Sequence, residues 1–368
     1  MKSCVLLFAV MVVGCKQATT NPLRDGGGTD GELAAASGGT AAGGTAAGGA
    51  TAAGGTPGSA AASGAPADTY DDSGCKHPKV EADCVDGWCQ IPPGCFIMGS
   101  PETEWGHPAQ EKRVKVTLTH GFVIGQTEVT QKQWADAKLR NPSKIFDSGH
   151  DVGQGDCGDS ECPVGNVTWF EAVSYANLLS EKAGLEPCYE LSGCVNSIGA
   201  QPVGLVCVDF KITTKSIYDC KGYRLPTDPE WEYAARAGTR AAYYSGDITT
   251  RAESGVCVDE PALDTTAWYC FNSGLLTHPV RQLLPNGWGL FDVLGNAFEW
   301  THDQSGWLPA ADSLTDPDQT YGPGQARDTR GGAHYTWPSV SRVAARIGAS
   351  AGVATPGTGF RLVRTLHP

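Results

Sequence analysis

Three stretches open with a polar residue set three positions ahead of an amide or acid, and apolar positions follow at helical spacing. Thr130-Gln131-Lys132-Gln133, Thr168-Trp169-Phe170-Glu171 and Thr227-Asp228-Pro229-Glu230 are capping boxes. In this pattern the side chains at the N-cap and N3 satisfy each other's backbone donors. Behind Thr168, the residues Trp169, Val173, Ala176 and Leu179 recur on one face, and Gly184 supplies a stop. Behind Thr227, Trp231, Ala234 and Ala235 line one side and Gly238 ends the run. Short strands are expected at Val114–Thr119 and Phe122–Gly125, between long turn-rich stretches. So much loop is unusual in a compact domain, and disulfides or bound ions are expected to replace the missing regular structure. The class is α+β, low in regular elements.

The amino-terminal pattern is different. Lys2 precedes a short apolar run, Cys4 to Val13, which suits a signal peptide and is too short to span a bilayer. The run closes on Val12-Val13-Gly14-Cys15, which resembles a bacterial lipobox. That resemblance implies cleavage before Cys15 and acylation of its thiol; several acyl chains on one residue give stable anchoring where one chain is marginal. Residues 1–15 are therefore expected to be a lipoprotein signal. Residues 16–74 are built from Gly, Ala, Thr and Ser with no aromatic before Tyr70, so nothing offsets the entropy of folding. Such a tether has an end-to-end distance of about 40 Å as a flexible coil. Residues 75–368 form the expected domain. Lys16, rather than an acid, follows the lipidated cysteine, which directs the expectation to the outer membrane of a Gram-negative cell envelope.

Composition narrows the chemistry. The formal charge of −13 argues against nucleic acid, whose phosphates would be repelled. With 40% hydrophobic and 18% charged residues the chain can bury a core. The fourteen cysteines less Cys4 and Cys15 leave twelve in the exported part, an even number that favours disulfides over zinc. Spacing does not fix the connectivity. The expected pairs are Cys157–Cys162, Cys257–Cys270, and Cys188–Cys220 around Cys194–Cys207. The Asp- and Gly-rich stretch from Asp147 to Asp156 does not follow an EF-hand loop and reads as a solvated turn.

A series of segments then occurs in order: Phe96-Ile97-Met98-Gly99-Ser100, Glu128-Val129-Thr130, Pro163-Val164, Val167-Thr168-Trp169, Tyr223-Arg224-Leu225-Pro226-Thr227 and Glu230-Trp231-Glu232-Tyr233-Ala234-Ala235-Arg236. Further on come Pro285-Asn286-Gly287-Trp288-Gly289-Leu290, Gly295-Asn296-Ala297-Phe298-Glu299-Trp300, Arg330-Gly331-Gly332 and Gly359-Phe360-Arg361. The series resembles the sulfatase-modifying-factor domain, the family of the formylglycine-generating enzymes, over about residues 92 to 365. The resemblance implies a loop-rich variant of the C-type-lectin-like fold.

It also implies chemistry. Formylglycine-generating enzymes oxidise a cysteine of an unfolded sulfatase with oxygen and a copper ion held by two cysteines; soft sulfur ligands suit Cu(I). Carried over, those positions are Thr336 and Ser341, with Ala333 where the family has a serine. None of the three keeps the family's residue, so copper is not expected. His302 and His334 flank the same motifs and are the remaining candidates for a redox metal. The related iron-dependent sulfoxide synthases take their histidines from an added helical domain that has no counterpart here, so iron is not expected either, and the bland alternative is two surface imidazoles lining a polar groove. The resemblance further implies a structural calcium at Asp292, Gly295, Ala297 and Glu299, two carboxylates and two backbone carbonyls suited to a hard cation. The alternative is a turn in which Glu299 merely forms a salt bridge. Arg342, Arg346, Arg361 and Arg364 read either as a carboxylate-binding groove or as structural arginines paired with acids.

Two functions compete. One is a lipid-anchored, non-catalytic module that binds peptide, glycan or an envelope protein. The other is an oxidoreductase, either formylglycine generation or another metal-dependent oxidation. Whether the chain is an enzyme turns on the pair Thr336 and Ser341.

Overall fold

The computed structural model describes residues 70–143, 157–200, 203–252, 255–306, 311–320 and 326–367. Cys15, the signal segment, most of the tether and the stretch from Asp147 to Asp156 lie outside the described residues.

All three capping boxes form. Thr130 caps α1 (Gln131–Asp136), Thr168 caps α2 (Trp169–Lys182) and Thr227 caps α3 (Asp228–Arg236), each with the reciprocal pair of side-chain bonds. Gly184 follows α2 with φ +70°. After α3 the left-handed position is taken first by Ala237, φ 43°, and then by Gly238. Trp169, Val173 and Ala176 are buried as their spacing requires, and Leu179 packs partly against the same core.

The strands are short and fall into small sheets. One sheet runs in the order Cys84–Val85, Trp88–Ile91, Phe122–Gly125, Val363–Thr365, antiparallel throughout. Its last pairing joins the start of the domain to its end. A second runs Ile347–Ser350, Ala326–Arg330, Phe298–Gln304, Thr358–Gly359, with the final pair parallel. Gly94–Met98, Val114–Leu118 and Ser313–Thr315 form a third, and Tyr189–Ser192 pairs with Asp209–Ile212 in a hairpin. The architecture is the expected α+β, loop-rich one. Domain contacts begin slightly ahead of Cys75: Lys115 donates to the Ser73 carbonyl at 2.7 Å, and Arg113 lies over the Tyr70 ring. Among the described residues no helix is long and apolar enough to cross a membrane.

Five tryptophans (Trp134, Trp169, Trp231, Trp288 and Trp300) fill the core, together with four arginines that are no more than 1% exposed. Each of those four has carboxylate or carbonyl partners. Arg224 forks onto Glu230 at 2.7 Å twice, Arg330 bridges Asp228 and Glu232, Arg361 forks onto Glu299 at 2.6 Å twice, and Arg327 donates to the His302 carbonyl. Arg342 holds Glu104 and Glu111, and Arg346 holds Asp228. Arg342, Arg346 and Arg361 are thus structural arginines paired with acids, whereas Arg364 lies over the Tyr223 ring with no partner for its Nε among the described residues. Burial alone would raise the Glu232 carboxyl, but Arg236, Arg330 and Arg346 outweigh it and hold the acid at about 2.

Six disulfides join all twelve cysteines from Cys75 onward: the four expected pairs, with Cys75–Cys95 and Cys84–Cys89 added. Each removes about 2–4 kcal/mol of loop entropy from the unfolded chain in the loop-closure account. Thiol titration under denaturing, non-reducing conditions should find almost no free sulfhydryl. Six or more would reject the framework.

Candidate functional site

The segment from Asp292 to Glu299 is a tight loop entering the strand Phe298–Gln304. Asp292, Gly295 and Asn296 all take left-handed backbone, with φ 55°, 73° and 54°. A Cβ at Gly295 would come within 2.2 Å of the Trp268 carbonyl oxygen, so only glycine fits there. No hydrogen bond among the described residues ends on the Gly295 or Ala297 carbonyl oxygen. The Asp292 carboxylate is buried and accepts the Arg281 N–H at 2.8 Å. Glu299 is fully buried and engaged by Arg361, with a further bond from the Trp231 indole at 2.7 Å.

A third acid joins them. Glu128, the first residue of its motif, is completely buried and neither of its oxygens has a hydrogen-bond partner. Burial, followed by the charges of Asp292 and Glu299, pushes the Glu128 carboxyl well above the usual range. Burial lifts Asp292 to about 6, against the pull of the Arg281 N–H and Arg361. Three buried carboxylates thus share one buried guanidinium, an excess of negative charge that calls for protons or a cation. Among the described residues no three acid, histidine or cysteine side chains converge into a cage by themselves. A cation here would need backbone oxygen as well, and the Gly295 and Ala297 carbonyls are unengaged among the described residues. With them, Asp292 and Glu299 would make an all-oxygen donor set suited to a hard ion such as calcium. In this arrangement Glu299 carries both proposed roles, as ion-pair partner and as ligand.

Thr336 and Ser341, the two positions to which the resemblance carries the family's copper ligands, also lie together. Gly331 and Gly332 both have positive φ, 85° and 79°, and turn the chain so that Thr336 Oγ1 and Ser341 Oγ sit 3.4 Å apart. A Cβ on Gly332 would lie 2.6 Å from the Ser341 hydroxyl. The Thr336 hydroxyl accepts the Ala333 N–H at 3.0 Å and donates to the Ala333 carbonyl at 2.9 Å, closing the turn on itself. Both hydroxyls are buried. Cys270, distant in sequence, does reach this site: its N–H donates to the Thr336 carbonyl at 3.1 Å. Its sulfur is bonded to Cys257 and offers no thiolate.

The two candidate histidines are not brought together, and neither is a surface imidazole. His302 is fully buried, with Nδ1 at 3.3 Å from the Tyr189 hydroxyl and Nε2 at 2.6 Å from Thr320. Burial lowers its pKa although Asp318 pulls the other way. The strand Phe298–Gln304 carries both Glu299 and His302, and places His302 toward Tyr189 and Thr320. His334 is 2% exposed, and its Nδ1 donates to the Asn296 carbonyl at 3.0 Å. Burial pulls it down to about 4, against the Asn296 carbonyl and with a small push from His278.

Comparison with known proteins decides the family. The profile of the sulfatase-modifying factor enzyme 1-like domain matches residues 76–366. The chain belongs to this family. It is 30% identical over 269 residues to the chaperone protein LppX of Paenibacillus barcinonensis, covering 68% of this chain and 82% of that one. It is also 30% identical over 294 residues to the formylglycine-generating enzyme of Streptomyces coelicolor, covering 75% and 88%. Among solved structures, Treponema denticola variable protein 1 superposes with a TM-score of 0.56 at 30% identity, covering 75% of this chain and 94% of that one. PvdO from Pseudomonas aeruginosa shares the fold alone, with a TM-score of 0.55 at 22% identity over 79% of this chain and all of that one.

Within the sulfatase-modifying-factor frame, sequence reasoning missed Glu128 and His278. Glu128 had a visible signal, its place as the first residue of the Glu128-Val129-Thr130 motif of the series. His278 had none, because Asn296 and Trp268 bring it to the site from a loop with no pattern of its own.

Proposed function

We propose that this chain is a non-catalytic sulfatase-modifying-factor module, held at the cell envelope through a lipid on Cys15 and binding a peptide, glycan or envelope protein. The observation that carries the reading is the pair of facing hydroxyls, Thr336 and Ser341, at 3.4 Å, beside a Cys270 sulfur already committed to a disulfide. Hydroxyl oxygens are hard donors and stay protonated at neutral pH, so they neither hold Cu(I) nor exchange with a substrate thiol. Ala333 removes a further hydroxyl. A relative that bears the name of a chaperone supports polypeptide as the ligand class. Calcium at Asp292 and Glu299 then serves to stabilise the loops around the site.

The test is conversion of cysteine to formylglycine. A sulfatase-motif peptide incubated with the protein, oxygen, reductant and supplied copper should show no aldehyde by mass spectrometry. Clear turnover would reject the reading in favour of an oxidoreductase, the alternative that the formylglycine-generating relatives support.

A further inference from the structure

We propose that His278 and His334 form a site for a divalent transition-metal ion of borderline softness, with zinc the closest match, beside the Thr336–Ser341 turn. Two residues clamp both histidines. The Asn296 carbonyl accepts from Nδ1 of His334 at 3.0 Å, its Oδ1 accepts the His278 N–H at 2.9 Å, and its Nδ2 donates to the His278 carbonyl at 3.2 Å. Ser273 closes the other side: its carbonyl accepts from Nε2 of His278 at 2.8 Å, and its hydroxyl donates to the His334 carbonyl at 2.5 Å.

These bonds assign the tautomers. A carbonyl only accepts, so Nδ1 of His334 and Nε2 of His278 carry the protons. The opposite atoms, Nε2 of His334 and Nδ1 of His278, are left with lone pairs. Neither has a hydrogen-bond partner among the described residues, and neither is sealed in the interior. The His278 ring is further fixed by stacking on Trp268, with centroids 3.7 Å apart and planes 10° from parallel. Imidazoles whose second nitrogen donates to a backbone carbonyl are how proteins pre-orient metal-binding histidines. Neutral imidazole suits zinc, nickel or copper(II) and not calcium, which keeps this site chemically separate from the carboxylate one. No third histidine, cysteine or acid is grouped with the pair among the described residues. The remaining coordination positions therefore go to solvent or to a donor atom of an incoming ligand.

Zinc titrated calorimetrically into the purified, calcium-saturated chain should bind once per molecule. His278→Ala and His334→Ala should each weaken binding by about tenfold or more, while His120→Ala should not. X-ray absorption of the one-to-one complex should count two imidazole nitrogens, and one in either variant. In the unmutated protein zinc should shield His278 and His334, but not His120, from carbethoxylation, a readout that requires no variant to fold. No stoichiometric zinc, fewer than two imidazoles, equal modification with and without zinc, or folded variants that bind as well as the parent would each overturn the proposal.

Discussion

Replacing Arg330 with Met should cost about 3–5 kcal/mol, the penalty for removing one partner from a buried ion network. Its guanidinium is fully buried and meets Asp228 at 2.5 Å, Glu232 at 2.6 Å, and the carbonyls of Val343 and Ala345 at 2.8 Å each. It also lies over the Trp231 ring, 5.0 Å from the centroid. The substitution leaves two buried carboxylates with reduced compensation and two carbonyls unsatisfied. Arg346 and Arg236 still face the acids, so the loss should be severe without reaching the full cost of isolated charges. Arg330→Lys keeps the charge but not the planar fork and should recover only part of it. Lys112→Ala, which breaks an exposed pair with Asp312, should change stability by less than about 1 kcal/mol. Denaturant unfolding of the three variants under one condition checks the series. A loss of under about 1 kcal/mol for Arg330→Met would mean the network contributes little.

Calcium removal should be the second large effect. A ligand that binds only the folded chain adds about 2.7 kcal/mol at a hundredfold excess over its dissociation constant. For a domain of this size chelation should therefore lower the melting temperature by about 4–5 °C. Asp292→Ala should remove that sensitivity, because Asp292 is the carboxylate of the set that no arginine side chain neutralises directly. Glu128→Gln separates two accounts of the buried acids. Without an ion, removing a charge from a cluster of three acids around Arg361 should stabilise the chain. With calcium bound, the same change should weaken binding and reduce the chelator effect. An identical melting curve before and after confirmed metal removal would reject the calcium site.

The three helices were legible because a capping box is local chemistry: Thr130, Thr168 and Thr227 each need a partner only three residues away. The ordered motifs were legible for a related reason. Glycines such as Gly295 and Gly332 are dictated by backbone that no side chain permits, so they remain readable as single letters. Four disulfides were also anticipated, but separation along the chain is no guide: Cys188–Cys220 spans 32 residues, whereas the unanticipated Cys84–Cys89 spans 5 and is set by which strands pair at the domain's edge.

The partners of charged and polar groups were not legible, because they come from remote parts of the chain. Arg342 could have lined a groove; folding sets it against Glu111, 231 residues away. His302 could have met His334; a strand buries it against Tyr189 and Thr320 instead. Glu128 gains its charged neighbours only when the strand that precedes it packs beside the carboxy-terminal one. Residue identity at fixed local spacing was enough for the helix starts, the family, and the presence of Thr336 and Ser341 rather than cysteines after the Arg330-Gly331-Gly332 motif. The tertiary structure alone decided which acids share Arg361 and which histidine stands beside His334, because burial makes every charge and lone pair answer to whatever the fold brings within a few ångströms.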